Sequence, residues 1–123
     1  MRRAYLALSV CIILLGVVHI AATPRYFPAL TSTSVWFASG GLAIILTGTL
    51  NLLRQAYGDI AVWLRRVCAA TNVIMTVFAL VAGYAGRASA IEFALVLGLL
   101  GGATVLCFVS AAQRPRERSD SAA

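Results

Sequence analysis

Residues 34–54 read SVWFASGGLAIILTGTLNLLR, and their reading decides the fold. No charge precedes Arg54 in this stretch, and the neutral run reaches back to Tyr26, 28 residues in all. A helix rises about 1.5 Å per residue, so ~20 apolar residues cross the ~30 Å hydrocarbon layer of a bilayer. Three more neutral runs have this length: Ala4–Pro24 with 21 residues, Val67–Gly86 with 20 and Phe93–Gln113 with 21. Four such runs predict four transmembrane helices, at about 4–22, 34–53, 63–84 and 89–111. Alternation with period two is absent, which argues against strands of a membrane barrel.

Composition agrees. The chain has 123 residues, of which 61% are hydrophobic and 11% charged, and its mean hydropathy is +0.91. So small a soluble domain has too little interior to hide that much apolar surface. Disorder requires low hydrophobicity and is excluded as well. The expected fold class is all-α: one integral membrane bundle of four antiparallel helices over residues 1–113. A polar tail, 114–123, is expected to be disordered in the cytoplasm.

The connections carry breaking and capping signals. Pro24 and Pro28 lack the N–H that continues a helix. The Thr-Ser-Thr-Ser run before Val35 supplies N-cap side chains. Gly58 and Asp59 mark the second turn and Gly86 the third.

The ten basic residues are all Arg. With the four spans drawn, Arg2, Arg3, Arg54, Arg65, Arg66, Arg114, Arg116 and Arg118 fall on one side and Arg25 and Arg87 on the other. Positive charge is retained on the cytoplasmic side, so both termini are expected inside. The net charge of +6 is spread to flank the spans. It therefore reads as contact with anionic lipid headgroups, and nucleic acid is not an expected partner. A cleaved signal peptide is the rival reading of residues 1–24, but HIAATP offers no clean Ala-x-Ala site and three spans follow.

Candidate sites are few. His19 is the single histidine and lies near the outer end of helix 1. An ionisable group at that depth asks for a partner. Glu92 is the acid at comparable depth, with Arg25 and Arg87 competing for its carboxylate. The pair reads either as a fastener between helices 1 and 4 or as a proton-coupled or ligand site. Asn51 and Asn72 form a second candidate group near the inner interface. Ser39, Ala43, Thr47 and Asn51 recur every four residues on helix 2, and Ala69, Asn72, Thr76 and Ala79 make a similar stripe on helix 3. Small and amide side chains hold helices together in lipid, so helix 2 is expected to pack on helix 3, with a polar pore as the sharper alternative. Gly98 and Gly102 form a GxxxG pair on helix 4, suited to an internal crossing or to a homodimer, and Gly40, Gly41 and Gly48 make a comparable surface on helix 2. Cys11, Cys68 and Cys107 are far apart in sequence, without a Cys-x-x-Cys, and read as small apolar packing residues. Tyr26, Phe27, Trp36 and Phe37 at one boundary, and Tyr57 and Trp63 at the other, read as interface anchors.

No nucleophile elbow, zinc-protease motif or phosphate loop is present. No catalytic, metal or cofactor-binding residues are therefore assigned, and no cofactor is expected.

The order GVVHIAATPRYFPAL, then VWFASGGLAIILTGTLNLLR, spans residues 16–54. It resembles a group of short, uncharacterised bacterial inner-membrane proteins, with a His in helix 1, a Thr-Pro loop, a Trp-Phe helix start with a Gly pair and an Asn-Leu end. The resemblance implies a four-helix protein of the bacterial inner membrane and picks out His19, Thr23, Pro24, Trp36, Phe37, Gly41 and Asn51. It names no substrate. The leading expectation is a non-enzymatic multi-pass protein with a structural or accessory role, partnered by the lipid bilayer and by a second copy through helix 4 or another membrane protein. The alternatives are a small oligomeric transporter or channel using His19/Glu92 and Asn51/Asn72, and a quinone- or haem-associated membrane subunit.

Overall fold

A computed structural model describes residues 2–86 and 89–120, with side chains as far as Val109. Four helices follow one another: α1 (Arg2–Tyr26), α2 (Ser32–Tyr57), α3 (Val62–Ala85) and α4 (Ala90–Asp120). Arg2–Tyr26, Ser32–Tyr57, Val62–Ala85 and Ala90–Val109 are each long and apolar enough to cross a membrane. Helices are what lipid demands, because each satisfies its own backbone polar groups where no water can do so.

The helix ends differ from the sequence reading. α1 does not stop at residue 22 but runs through Pro24 to Tyr26. Pro24 lies in the last turn, where its missing N–H removes a single intrahelical bond. The turn closes beyond it, Phe27 N donating to the Thr23 carbonyl at 2.9 Å. α2 begins earlier than expected because Thr31 makes a capping box. Its hydroxyl accepts from Ser34 N at 3.3 Å, and Thr31 N donates to Ser34 Oγ at 2.8 Å. At the other end α2 carries Arg54 and Gln55 as helical residues and closes on Gly58, whose N–H donates to the Arg54 carbonyl at 2.8 Å. The backbone of α4 is helical to Asp120. Residues 121–123 lie outside the described part.

The most extensive packing is between α1 and α2, followed by α3 with α4. Helix 2 also packs on helix 3, as expected, but less extensively than on α1. Glycines are the physical reason. A Cβ placed on Gly16 would come within 2.6 Å of the Gly41 carbonyl oxygen, and one on Gly48 within 2.9 Å of the Ser9 carbonyl oxygen. The two backbones thus approach where no side chain fits, which in lipid is a main source of helix attraction. Gly41 and Gly48 serve this crossing; Gly40 stands beside it, a Cβ there lying 3.6 Å from His19 Nε2. On α4, Gly102 abuts Leu8 of α1, whereas a Cβ on Gly98 or Gly101 would meet nothing within 4 Å.

The core is thin. Tyr5, Ile12, Ile44, Leu100, Ala103 and Cys107 are its buried members. Leu14, Val18, Leu46, Ile74, Phe78, Val81 and Val105 instead point outward from the middle of their helices. That pattern is wrong for water and right for hydrocarbon. Trp36 and Trp63 are also turned outward, as interface anchors are.

Candidate functional site

The buried face of α1 carries Tyr5, Ser9, Ile12 and Gly16, spaced four, three and four apart. That of α2 includes Thr47, Asn51 and Arg54. The helical repeat brings residues at these spacings onto one seam. The two seams and α3 meet in a cluster of polar side chains shut away from the surroundings. Ser9, Asn51, Asn72 and Cys68 are fully buried, and Arg54 is 5% exposed.

Asn51 is the hub. Its amide nitrogen donates to Asn72 Oδ1 at 2.8 Å and to the Thr47 carbonyl at 2.9 Å. Its Oδ1 accepts from Asn72 Nδ2 at 2.8 Å, from the Cys68 thiol at 3.2 Å and from the Tyr5 hydroxyl. Asn51 and Asn72 therefore form a reciprocal amide pair between α2 and α3, extended by Tyr5 to α1. Arg54 donates to the Tyr5 hydroxyl at 3.0 Å and to the Cys107 carbonyl of α4 at 2.7 Å. Its guanidinium also lies over the Tyr5 ring, 5.5 Å from the centroid, in cation–π geometry. The Cys107 thiol faces that of Cys68, and neither is in a disulfide. One network thus touches all four helices.

Every buried side-chain nitrogen and oxygen among the described residues has a hydrogen-bond partner. An unpaired polar group in hydrocarbon costs several kcal/mol, so this completeness is a condition for the cluster to exist at all. It also fixes how the helices are rotated, because turning any one of them breaks bonds to another.

The sequence-predicted residues fall into two sets. Asn51 and Asn72 are brought together. His19 and Glu92 are not, and the expected pairing between them is corrected. Glu92 lies in the first turn of α4 and caps it, accepting from Ser89 N at 3.0 Å and from Ser89 Oγ at 2.8 Å. An acid there also complements the helix dipole; Ser89 is its main partner and the Tyr26 hydroxyl of α1 a lesser one. His19 stacks on Phe37 of α2, with ring centroids 4.0 Å apart and planes 17° from parallel. Phe37 is also flanked by Tyr26 and Phe27, at 6.0 and 5.3 Å. Arg25 is the basic residue of the last turn of α1, where it complements that helix end. Arg87 lies outside the described residues.

Apart from the Asn51–Asn72 pair, the hydroxyls of the stripes on helices 2 and 3 have separate partners. Thr76 of α3 meets Thr104 of α4, hydroxyl to hydroxyl at 3.0 Å, while Thr47 donates back to the Ala43 carbonyl at 2.8 Å. Ser39 does the same to the Trp36 carbonyl at 2.7 Å.

Sequence reasoning missed Tyr5, Ser9, Arg54, Gln55, Cys68 and Cys107 as members of the cluster. A signal was present: Arg54 continues the three-to-four spacing of Thr47 and Asn51, and Tyr5 and Ser9 share one face. Reading Arg54 only as a flanking charge hid it. No group of three or more His, Cys, Asp or Glu side chains that could hold a metal occurs among the described residues. Compared with known protein families, with curated proteins and with solved structures, the chain matches none.

Proposed function

We propose that the chain is a non-enzymatic, multi-pass protein of the bacterial inner membrane, an antiparallel four-helix bundle with both termini in the cytoplasm, acting as a structural or accessory component. The observation that carries this reading is the closed polar network: its members bond to one another and to the backbone, so it works as a fastener. The register of contacts, Tyr5 with Asn51 at one end of α1 and His19 with Phe37 at the other, supports the antiparallel course. The arginine distribution supports the orientation, and residues 16–54 add their resemblance to short inner-membrane proteins.

An accessory component has a partner in the bilayer. The outward face of α4 around Gly98 and Gly101, open to a close neighbour, suits a second copy of the chain or another membrane protein. Purification in mild detergent after chemical crosslinking is the test. The expected result is a crosslinked species that Gly98→Leu abolishes while the monomer stays folded. A single monomeric species from both proteins overturns the accessory role. Flux through proteoliposomes that Asn72→Leu abolishes would replace it with the transporter reading. Reporter fusions active in the periplasm at either terminus would overturn the orientation.

A further inference from the structure

Beside the polar network, at the same end of the molecule, a groove of about 570 Å³ opens between the start of α1 and the end of α2. It is lined by Arg2, Arg3, Leu6, Leu52, Gln55 and Ala56, none of them acidic. Arg2 and Arg3 are exposed, and Leu6 is half-exposed beneath them. The site therefore has a cationic mouth and an apolar floor.

Gln55 gives it a second polar feature. Its Nε2 donates to Ser9 Oγ at 3.1 Å and, at 3.4 Å, to the Asn51 carbonyl. The Ser9 hydroxyl has one proton, and that proton goes to the Tyr5 carbonyl at 2.7 Å. Towards Gln55 the serine can only accept, which fixes the amide with nitrogen inward and oxygen away from Ser9. Gln55 Oε1 has no partner among the described residues, and no buried oxygen is unsatisfied, so this acceptor is accessible. A ligand here meets two guanidinium groups, one fixed carbonyl acceptor and an apolar strip. Phosphate is the anion that arginine recognises in forked geometry. A fixed acceptor beside it asks for a hydroxyl donor.

We propose that this groove binds an anionic phospholipid whose headgroup carries a free hydroxyl, as phosphatidylglycerol does. Arg2 and Arg3 hold the phosphate, a headgroup hydroxyl donates to Gln55 Oε1, and an acyl chain lies along Leu6 and Leu52. The Gln55 amide is itself anchored to Ser9 and Asn51, so lipid binding is coupled to the buried fastener. The proposal rests on the bilayer reading above; a chain that stays dissolved without detergent would end that reading before any lipid is tested.

Native mass spectrometry of the detergent-solubilised protein titrated with single lipids tests the site. Each basic residue near an anionic surface contributes about fivefold in affinity, so phosphatidylglycerol should bind about thirtyfold more tightly than phosphatidylcholine. Arg2→Ala/Arg3→Ala should erase that ratio, while Arg25→Ala, at the opposite end of α1, should leave it intact. Gln55→Met should remove the preference for phosphatidylglycerol over phosphatidic acid and keep the preference for anionic lipid. Gln55→Glu, which puts a negative charge beside the phosphate, should weaken both anionic lipids and serves if the methionine variant does not fold. Equal affinity for phosphatidylglycerol and phosphatidylcholine, or an equal loss in Arg25→Ala, overturns the proposal. Displacement of the lipid by an equal concentration of soluble glycerol phosphate would assign the groove to a free phosphate instead.

Discussion

At the end of the bundle that holds Tyr5 and Arg54, buried polar side chains bond across to several helices; at the end that holds His19 and Glu92, polar groups mostly close on their own helix, with Phe37 and Tyr26 as the cross-helix partners of these two. Asn51 bonds to α1 and α3, and Arg54 bonds to α1 and α4. Glu92 instead closes on Ser89, Thr31 on Ser34, and Thr23 on the His19 carbonyl at 3.3 Å. Where polar groups satisfy themselves locally, the helices meet through aromatic rings. The difference follows from place along the chain. Glu92 and Ser34 stand in first turns, where orphan N–H groups offer a partner one turn away. Asn51 and Asn72 stand within helices, where most of the backbone is already paired and the free acceptors are mainly on other helices.

The largest effect that separates the two ends is expected from Asn51→Leu. It leaves Tyr5, Cys68 and Asn72 without their shared acceptor, and should destabilise the bundle by about 2–3 kcal/mol in detergent unfolding. A loss below about 0.5 kcal/mol would mean that the network follows the fold and does not hold it. A double-mutant cycle with Asn51→Ala and Asn72→Ala sharpens the point. Interhelical hydrogen bonds in membranes couple by about 0.6–1.7 kcal/mol, and this reciprocal pair belongs at the upper end. Additive changes would refute a direct link.

At the opposite end the expected effects are smaller. His19→Phe keeps a ring on Phe37 and should shift stability by no more than about 0.5 kcal/mol, whereas His19→Ala removes a stack worth about 1 kcal/mol. The least effect is expected from Glu92→Gln, which retains an acceptor for Ser89 and should leave the unfolding midpoint unmoved. Combined with His19→Phe it should be additive. Measurable coupling between these two residues would restore the pair suggested by their shared depth.

Four spans, their approximate limits and the lipid-facing character of most side chains were legible in the chain. Excluding charge from hydrocarbon is a one-dimensional constraint, read by counting residues between arginines. A cap within residues 31–34 was legible for the same reason, since a capping bond spans only a few residues, but that Thr31 is the cap and the helix starts at Ser32 was not. The network was half legible: the amide pair could be anticipated from depth, while Tyr5, Arg54 and Cys107 could not be joined to it. Which helix packs on which, and which faces turn inward, came only with the tertiary structure. In water the hydrophobic stripe of a helix says where its core lies, but lipid is as apolar as leucine and rewards no such stripe. Rotation and neighbour choice were left to close backbone approach at Gly16, Gly41 and Gly48 and to hydrogen bonds that need two helices at once, and neither is a property of a single segment.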